Sequence, residues 1–135
     1  MKEEYKQLSL QQLCSSFQYG LKVKAKDEDG TVVEGELWSI EATREDTIFI
    51  FLDISHLAYK VGRNEIKPYL RPLSSMTEEE KKEYKDLLYC VKYAADTVFA
   101  VNMLTNWLDA HHFDHRGLIP KGLAIEAPIG MYTND

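Results

Sequence analysis

The sequence lacks the features that mark membrane-spanning and secreted proteins. No apolar run approaches the roughly 20 residues that cross a bilayer. The opening residues, MKEEYK, contain no apolar signal-peptide core. The two cysteines, Cys14 and Cys90, are far apart and form no Cys-x-x-Cys pair. Because both lie in or beside helical apolar patterns, we expect buried free thiols. These absences predict a cytoplasmic location.

The usual templates for catalysis are also missing. The seven glycines are scattered, and none belongs to a Gly-rich loop that could cradle a phosphate. No serine lies in a Gly-x-Ser-x-Gly context, and neither cysteine has an adjacent basic residue or histidine to lower its pKa. The sequence therefore favours a non-enzymatic protein without a cofactor.

Basic residues are fewer than acidic ones, 16 against 22, which gives a net charge of −6. This balance opposes non-specific binding to nucleic acid, because neutralisation of phosphates by Lys and Arg dominates such binding. A chain of 135 residues that is 44% hydrophobic can bury one core and has little room for a second. We expect a single domain over residues 1–135.

The first half of the chain predicts a short helix followed by an antiparallel sheet. Apolar residues three and four apart indicate a helix over residues 8–17, and Gly20 ends it. Residues 21–26 and 31–37 alternate as strands of a hairpin, with residues 28–30 as a three-residue loop and Gly30 at positive φ. This register places Lys24 opposite Glu34 and Lys22 opposite Glu36, so that the lysines are neutralised across the strands.

The sheet is predicted to extend over residues 20–70. The first hairpin's second strand continues through residues 38–41, and residues 43–46 form a turn. Residues 47–52 are apolar on both faces, which indicates a central strand covered on both sides, in part by helices. Residues 61–65 resemble a turn, and residues 65–70 a short last strand that Pro68 would hold at an edge.

The second half predicts helices over residues 77–112 and an ordered tail over residues 113–135. Thr77 and Glu80 form a capping box, and a break is expected near residues 94–97. The buried stripe of the first helix is expected to comprise Tyr84, Leu87, Leu88 and Val91. Apolar tail residues are expected to dock: Leu118, Ile119, Leu123, Ile125 and Met131. The fold class is therefore α+β, a small antiparallel sheet, curling toward a barrel, that packs against these helices.

Three histidines crowd into residues 111–115. His111 and His115 are four apart, the spacing that zinc hydrolases use on a helix. However, His112 stands where the catalytic glutamate should be, and Gly117 and Pro120 indicate that the helix ends within or soon after the cluster. We therefore expect a structural corner and no metal; if a metal is bound, His111 and His115 are its ligands.

Two blocks, residues 66–80 (IKPYLRPLSSMTEEE) and residues 107–128 (WLDAHHFDHRGLIPKGLAIEAP), resemble a family of small proteins encoded by phages and prophages of gut Bacteroides-type bacteria. They cover about a quarter of the chain. The resemblance implies a phage or mobile-element protein in a bacterial host and supplies no functional residues. The family pattern DYRGLI has a tyrosine at the position of His115, which favours the structural corner.

Three functions remain open. The leading hypothesis is a non-enzymatic accessory protein, monomeric or homodimeric, that binds a host or phage protein and no membrane. Its surface would comprise Trp38, Asp109, His112, Asp114 and Arg116, although burial of Trp38 is the commoner outcome. The second is a β-domain that binds single-stranded nucleic acid or a nucleotide. Its aromatic residues would be Trp38, Phe49, Phe51 and Tyr69, and its basic residues Lys60, Arg63, Lys67 and Arg71. The third is a metal-dependent hydrolase at His111 and His115.

Overall fold

The computed structural model describes residues 19–42, 47–52 and 58–132. The helix predicted over residues 8–17, the turn at residues 43–46 and Cys14 lie outside the described residues. The elements are β1 (Lys22–Asp27), β2 (Val32–Ala42), β3 (Thr47–Leu52), β4 (Ala58–Leu70), a 3-10 turn (Leu73–Ser75), α1 (Glu78–Tyr93), α2 (Thr97–Ala110) and β5 (Ile125–Glu126). This is the predicted α+β class.

β1 and β2 form the predicted hairpin in the predicted register. Lys24 pairs with Glu34 and Lys22 with Glu36, and Gly30 has a φ of 83°. The register follows from the alternation, because a slip of one residue would turn the buried side chains of β1 toward solvent. The charged residues also have contacts outside the ladder, since Lys22 Nζ donates to the Met131 carbonyl at 3.2 Å.

The four long strands pair in a closed cycle. β1 pairs with β2, β2 with β3, β3 with β4, and β4 again with β1, all antiparallel. Their inward side chains form the main core with residues of the tail: Leu21, Val23, Ala25, Leu37, Ile48, Ile50, Leu52, Val61, Ile66, Leu70, Leu118, Leu123 and Ala124.

β4 is one continuous strand, so the predicted turn at residues 61–65 is wrong. Residues 58–62 pair with β3. β4 pairs with β1 at Val61 and again over residues 66–68, with an irregularity between them. Pro68 lies opposite Val23 and is fully buried, so it does not mark an edge. An interior strand accepts a proline because alternate residue pairs of an antiparallel ladder exchange no hydrogen bonds.

The two helices pack mainly on each other and not on the sheet, which corrects the predicted packing. α1 contains no buried residue, and Leu88, predicted in its stripe, is 41% exposed. Cys90 is an exposed free thiol, where burial was predicted. A separate small core joins the base of the helices to the tail through Met76, Leu108 and Phe113. Within the described chain no helix is long and apolar enough to cross a membrane.

The tail returns to the sheet. β5 pairs with the end of β4 in parallel, and Leu118 and Leu123 are buried in the main core. The Tyr132 hydroxyl accepts from the Lys22 backbone N–H at 2.8 Å and donates to the Tyr69 carbonyl at 2.7 Å. Docking of the tail was predicted from its apolar residues, whereas the parallel strand was not.

Candidate functional site

The first candidate site is the stretch of residues 109–116, which we call the polar corner. α2 ends at Ala110, and His111 is its C-cap. The chain then turns through His112, whose φ is 60°. Asp109, His112 and Asp114 are buried, although polar residues of these types are usually exposed. Buried polar groups are normally compensated by contacts within the protein.

Asp109 is held by two neighbours from the loop. His115 Nε2 lies 2.8 Å and Arg116 Nη1 3.0 Å from the Asp109 Oδ1 atom. Burial acts to raise the pKa of Asp109, but the hydrogen bonds and charges of His115 and Arg116 outweigh it, so the pKa lies below its ordinary value. Arg116 Nη1 is also 2.9 Å from His115 Nε2. An Arg side chain only donates hydrogen bonds. His115 Nε2 therefore accepts from Arg116 when it carries no proton, and it donates to Asp109 when it carries one.

Asp114 organises the loop that follows. Its Oδ1 accepts from the Leu118 backbone N–H at 2.7 Å, and its Oδ2 accepts from Ile119 N–H at 2.9 Å. Its own N–H donates to the Arg71 carbonyl at 2.8 Å, and Arg71 N–H donates to the His112 carbonyl at 2.7 Å. The carboxylate therefore replaces backbone acceptors at the bend, while the two backbone hydrogen bonds with Arg71 join the corner to the end of β4.

His112 carries the most unusual environment of the corner. Its ring stacks on Tyr132 with centroids 3.8 Å apart and is 4% exposed. Burial lowers its pKa from 6.5 to about 4, against the opposing effect of a hydrogen bond to the Tyr19 backbone. Nδ1 has no hydrogen-bond partner within the described part of the chain. At neutral pH the ring is therefore neutral and serves as a packing element.

The buried Arg71 and the half-buried Glu80 form an ion pair beside the corner. Two hydrogen bonds of 2.8 and 2.7 Å join the guanidinium to the two carboxylate oxygens. Arg71 also lies over the Phe113 ring at 4.3 Å and donates to the Ser75 carbonyl. The hydrogen bonds from Arg71 hold the pKa of Glu80 at about 2. This pair fixes α1 to the end of β4, a role that the sequence pattern did not predict.

The histidine rings of the corner are occupied in ways that do not suit the zinc hypothesis. His111 Nδ1 donates to the Trp107 carbonyl at 2.8 Å, and His115 contacts Asp109. Because α2 ends at Ala110, the two rings do not share a helical face. Among the described residues, no three His, Cys, Asp or Glu side chains are arranged to hold a metal ion.

The corner is consequently a poor recognition surface. Asp109, His112 and Asp114 are buried, so their side chains offer a partner little surface, which argues against their assignment to a binding surface. Arg116 is half-buried, and its guanidinium contacts Asp109. The physical reason is that the loop after α2 must bend back to the sheet, and buried backbone groups at the bend require polar side chains.

Trp38 lies elsewhere and is 58% exposed, where burial was the commoner expectation. The pairing of β2 with β3 shifts between Leu37 and Ser39, so β2 carries one extra residue there. Leu37 and Ile40 both contact the core, which leaves Trp38 and Ser39 together on the outer side. Ser39 pairs with Phe51, and Phe51 pairs with the exposed Ala58. We call this surface the aromatic face: Trp38, Phe49, Phe51 and Ala58.

The basic residues proposed for nucleic acid do not form one surface. Arg71 is buried in its ion pair, and Lys60 contacts Glu28 at 3.3 Å. The side chain of Arg63 lies outside the described residues. Lys67 instead pairs with Lys24 across β4 and β1. Tyr69 is buried, its hydroxyl donates to Glu34, and this hydrogen bond raises its pKa to about 12.

Lysines from two strands meet at an open depression of about 320 Å³. Its charged lining residues are Lys24, Lys26, Lys67 and Glu65. The sequence missed this grouping because only the pairing of β4 with β1 brings Lys67 beside the lysines of the hairpin.

No protein-family model, curated protein or solved structure matches the chain.

Proposed function

We propose that the protein is a non-enzymatic accessory protein that binds another protein through the aromatic face. The observation that carries this proposal is the 58% exposure of Trp38 on the bulge of β2. Trp is enriched among the residues that dominate binding energy, and exposing one to water has a free-energy cost that a partner removes.

The surroundings of Trp38 support a protein partner. Phe49 and Phe51 are half-buried, so they offer a partly apolar floor that needs no rearrangement. The polar residues that most resemble catalytic groups, Asp109 and Asp114, are engaged in holding the corner. Residues 66–80 and 107–128 resemble phage and prophage proteins. This resemblance supports a protein of a phage or mobile element that acts in the host cytoplasm. Its partner would be a host or phage protein.

Native mass spectrometry of the chain, expressed untagged in its host and purified gently, tests the proposal. We expect a discrete additional protein mass with the wild type that is lost in Trp38→Ala. Val32→Ala is the matched control, because Val32 is an apolar residue of the same strand with 54% exposure, away from the bulge. A partner retained equally by Trp38→Ala would contradict the assignment to the aromatic face, and no protein adduct would contradict stable binding.

Binding of single-stranded nucleic acid is a second candidate, favoured by the lysines around the open depression. Phosphates would lie near Lys24, Lys26 and Lys67, although Glu65 and the net charge of −6 oppose them. Fluorescence anisotropy with labelled oligonucleotides at low salt tests it. Binding that Lys67→Glu abolishes would favour this candidate, and unchanged anisotropy would remove it.

A further inference from the structure

The outer half of the helical pair is unusually apolar. Residues 78–86 are charged at every position except Tyr84, whereas Lys92 and Asp96 are the charged residues of residues 87–103. We call residues 87–103 the distal hairpin. Its exposed apolar side chains are Leu88, Tyr89, Tyr93, Val98, Phe99, Val101 and Met103.

α2 is apolar on more sides than α1 can cover. Ala100 is buried, while Phe99 and Met103, four residues apart, lie along one flank. Val98 and Val101, three apart, lie along another flank. Phe99 is 62% and Val98 72% exposed. Apolar side chains on several flanks of a helix are normally buried, so a covering surface is missing from the single chain.

The exposed area is close to what a stable interface needs. Tyr89 is 65% and Tyr93 61% exposed, similar to Phe99. Since an aromatic side chain presents about 150–250 Å², each ring leaves roughly 100–150 Å² exposed. With the four aliphatic side chains, the distal hairpin exposes on the order of 700 Å². A standard interface buries about 800 Å² on each partner, and the largest apolar patch of a monomer is about 300–600 Å².

We infer that the distal hairpin is a homodimer interface, in which two copies form a four-helix arrangement about a two-fold axis. Two helices alone cannot enclose a core. In a bundle of four helices, the apolar flanks of both copies would be buried. The charges are self-complementary, because Lys92 of one copy can pair with Asp96 of the other and the reverse pair forms by symmetry. A protein of net charge −6 would otherwise repel its copy, but this segment is neutral.

A membrane is a less suitable occupant. Apolar segments that insert into a membrane surface are commonly flanked by basic residues, which attract anionic head groups. Here the adjoining residues 78–86 hold more acids than lysines. This inference concerns a surface different from the aromatic face and does not depend on the proposed function.

The test is the mass of the full chain by light scattering and sedimentation over a micromolar concentration series. Val98→Glu and Phe99→Glu place an acid in the first turn of α2, which the helix dipole favours, so the fold is retained. We expect a dimer for the wild type and a dimer Kd raised roughly 100-fold or more in each variant, because a buried unpaired carboxylate is costly. Val32→Glu, at an exposed apolar residue of β2, is expected to leave the dimer unchanged, and circular dichroism checks the fold of all variants.

Three results would overturn the inference. The first is a wild type that stays monomeric throughout the series. The second is a dimer that persists in folded Val98→Glu and Phe99→Glu. The third is a monomer that co-sediments with vesicles of phosphatidylcholine and phosphatidylserine, which would assign the distal hairpin to lipid. Loss of partner binding in Trp38→Ala with an intact dimer would separate the two surfaces.

Discussion

Buried polar side chains hold the junction between the sheet and the helices. Arg71 satisfies both carboxylate oxygens of Glu80, Asp114 satisfies two backbone N–H groups, and Asp109 contacts Arg116. A buried charge is tolerated only when it is paired and hydrogen-bonded. The residues that most resemble a catalytic cluster in the sequence therefore have a structural explanation.

Removing Arg71 should destabilise the protein strongly. Arg71→Ala leaves the half-buried Glu80 carboxylate without its cation and with only the Thr77 N–H bond, and we expect a loss of about 3 kcal/mol in the free energy of unfolding. Urea denaturation followed by circular dichroism measures it. Lys81→Ala breaks the exposed pair with Glu78 (3.2 Å) and is expected to cost less than about 1 kcal/mol. Equal effects of the two substitutions would show that the pair of Arg71 and Glu80 has no special role.

His112 should make stability depend on pH. The folded state holds its pKa at about 4, below the ordinary 6.5, so the unfolded chain binds this proton more tightly. Stability is therefore fully present above about pH 6.5 and falls as the pH drops toward 4. Asn tolerates positive φ, so His112→Asn keeps the backbone of the turn and removes the titration. Melting temperatures over this range should vary less in the variant; an identical pH dependence would contradict the assignment.

At the scale of elements, local signals determined where segments begin and end. The capping box of α1 forms as its residues predict, since Glu80 N–H donates to Thr77 Oγ1 and Thr77 N–H donates to Glu80 Oε1. Asp96 caps α2 after the predicted break. The β1–β2 loop closes because the Asp27 carboxylate accepts from Asp29 and Thr31 N–H.

Gly30 tests whether backbone conformation limits this loop. Its φ is 83°, and an added Cβ would meet only the Lys26 side chain at 3.8 Å, an ordinary contact. The cost of Gly30→Ala is therefore conformational, about 1–2 kcal/mol. Gly30→Asn should cost clearly less, because Asn adopts this region more readily. Thermal unfolding of both variants measures the difference, and an equal loss in both would point to a steric cause instead.

At the scale of the whole molecule, the tail closes the fold by contacts between distant parts of the chain. The Tyr132 hydroxyl bridges Lys22 and Tyr69, which lie on β1 and β4. The ring covers His112 at the polar corner. Burial raises the pKa of Tyr132 above its ordinary value, so the hydroxyl stays protonated and continues to donate.

Tyr132→Phe removes this bridge and retains the ring. We expect a loss of about 1–3 kcal/mol, because two backbone groups lose their partner. Limited proteolysis should also cleave the tail near Ile129 faster than in the wild type. Ser74→Ala, which removes the hydroxyl of an exposed residue outside both proposed surfaces, should change stability by less than about 0.5 kcal/mol. Unchanged stability and cleavage in Tyr132→Phe would show that water replaces the hydroxyl without cost.

The sequence by itself determined the hairpin register, the capping box, the break between the helices and the docking of the tail. The first three depend on local sequence, where alternation, helical spacing and side-chain caps act directly. Docking of the tail follows from its apolar residues, although its partners are distant in the chain. The predictions that failed concern how residues pair and pack in the folded chain. Residues 61–65 have turn-like composition, yet they lie within β4, at the irregularity in its pairing with β1.

Only the tertiary structure decided which elements meet. The same apolar stripe on α1 fits packing on a sheet or on another helix, and burial is non-directional, so the pattern could not choose. Trp38 is exposed because a bulge keeps both Leu37 and Ile40 in the core, and Arg71 is buried because α1 brings Glu80 to it. Such partners are distant in sequence or in separate elements. Their energies act only once the chain is folded, which is why local patterns do not encode them.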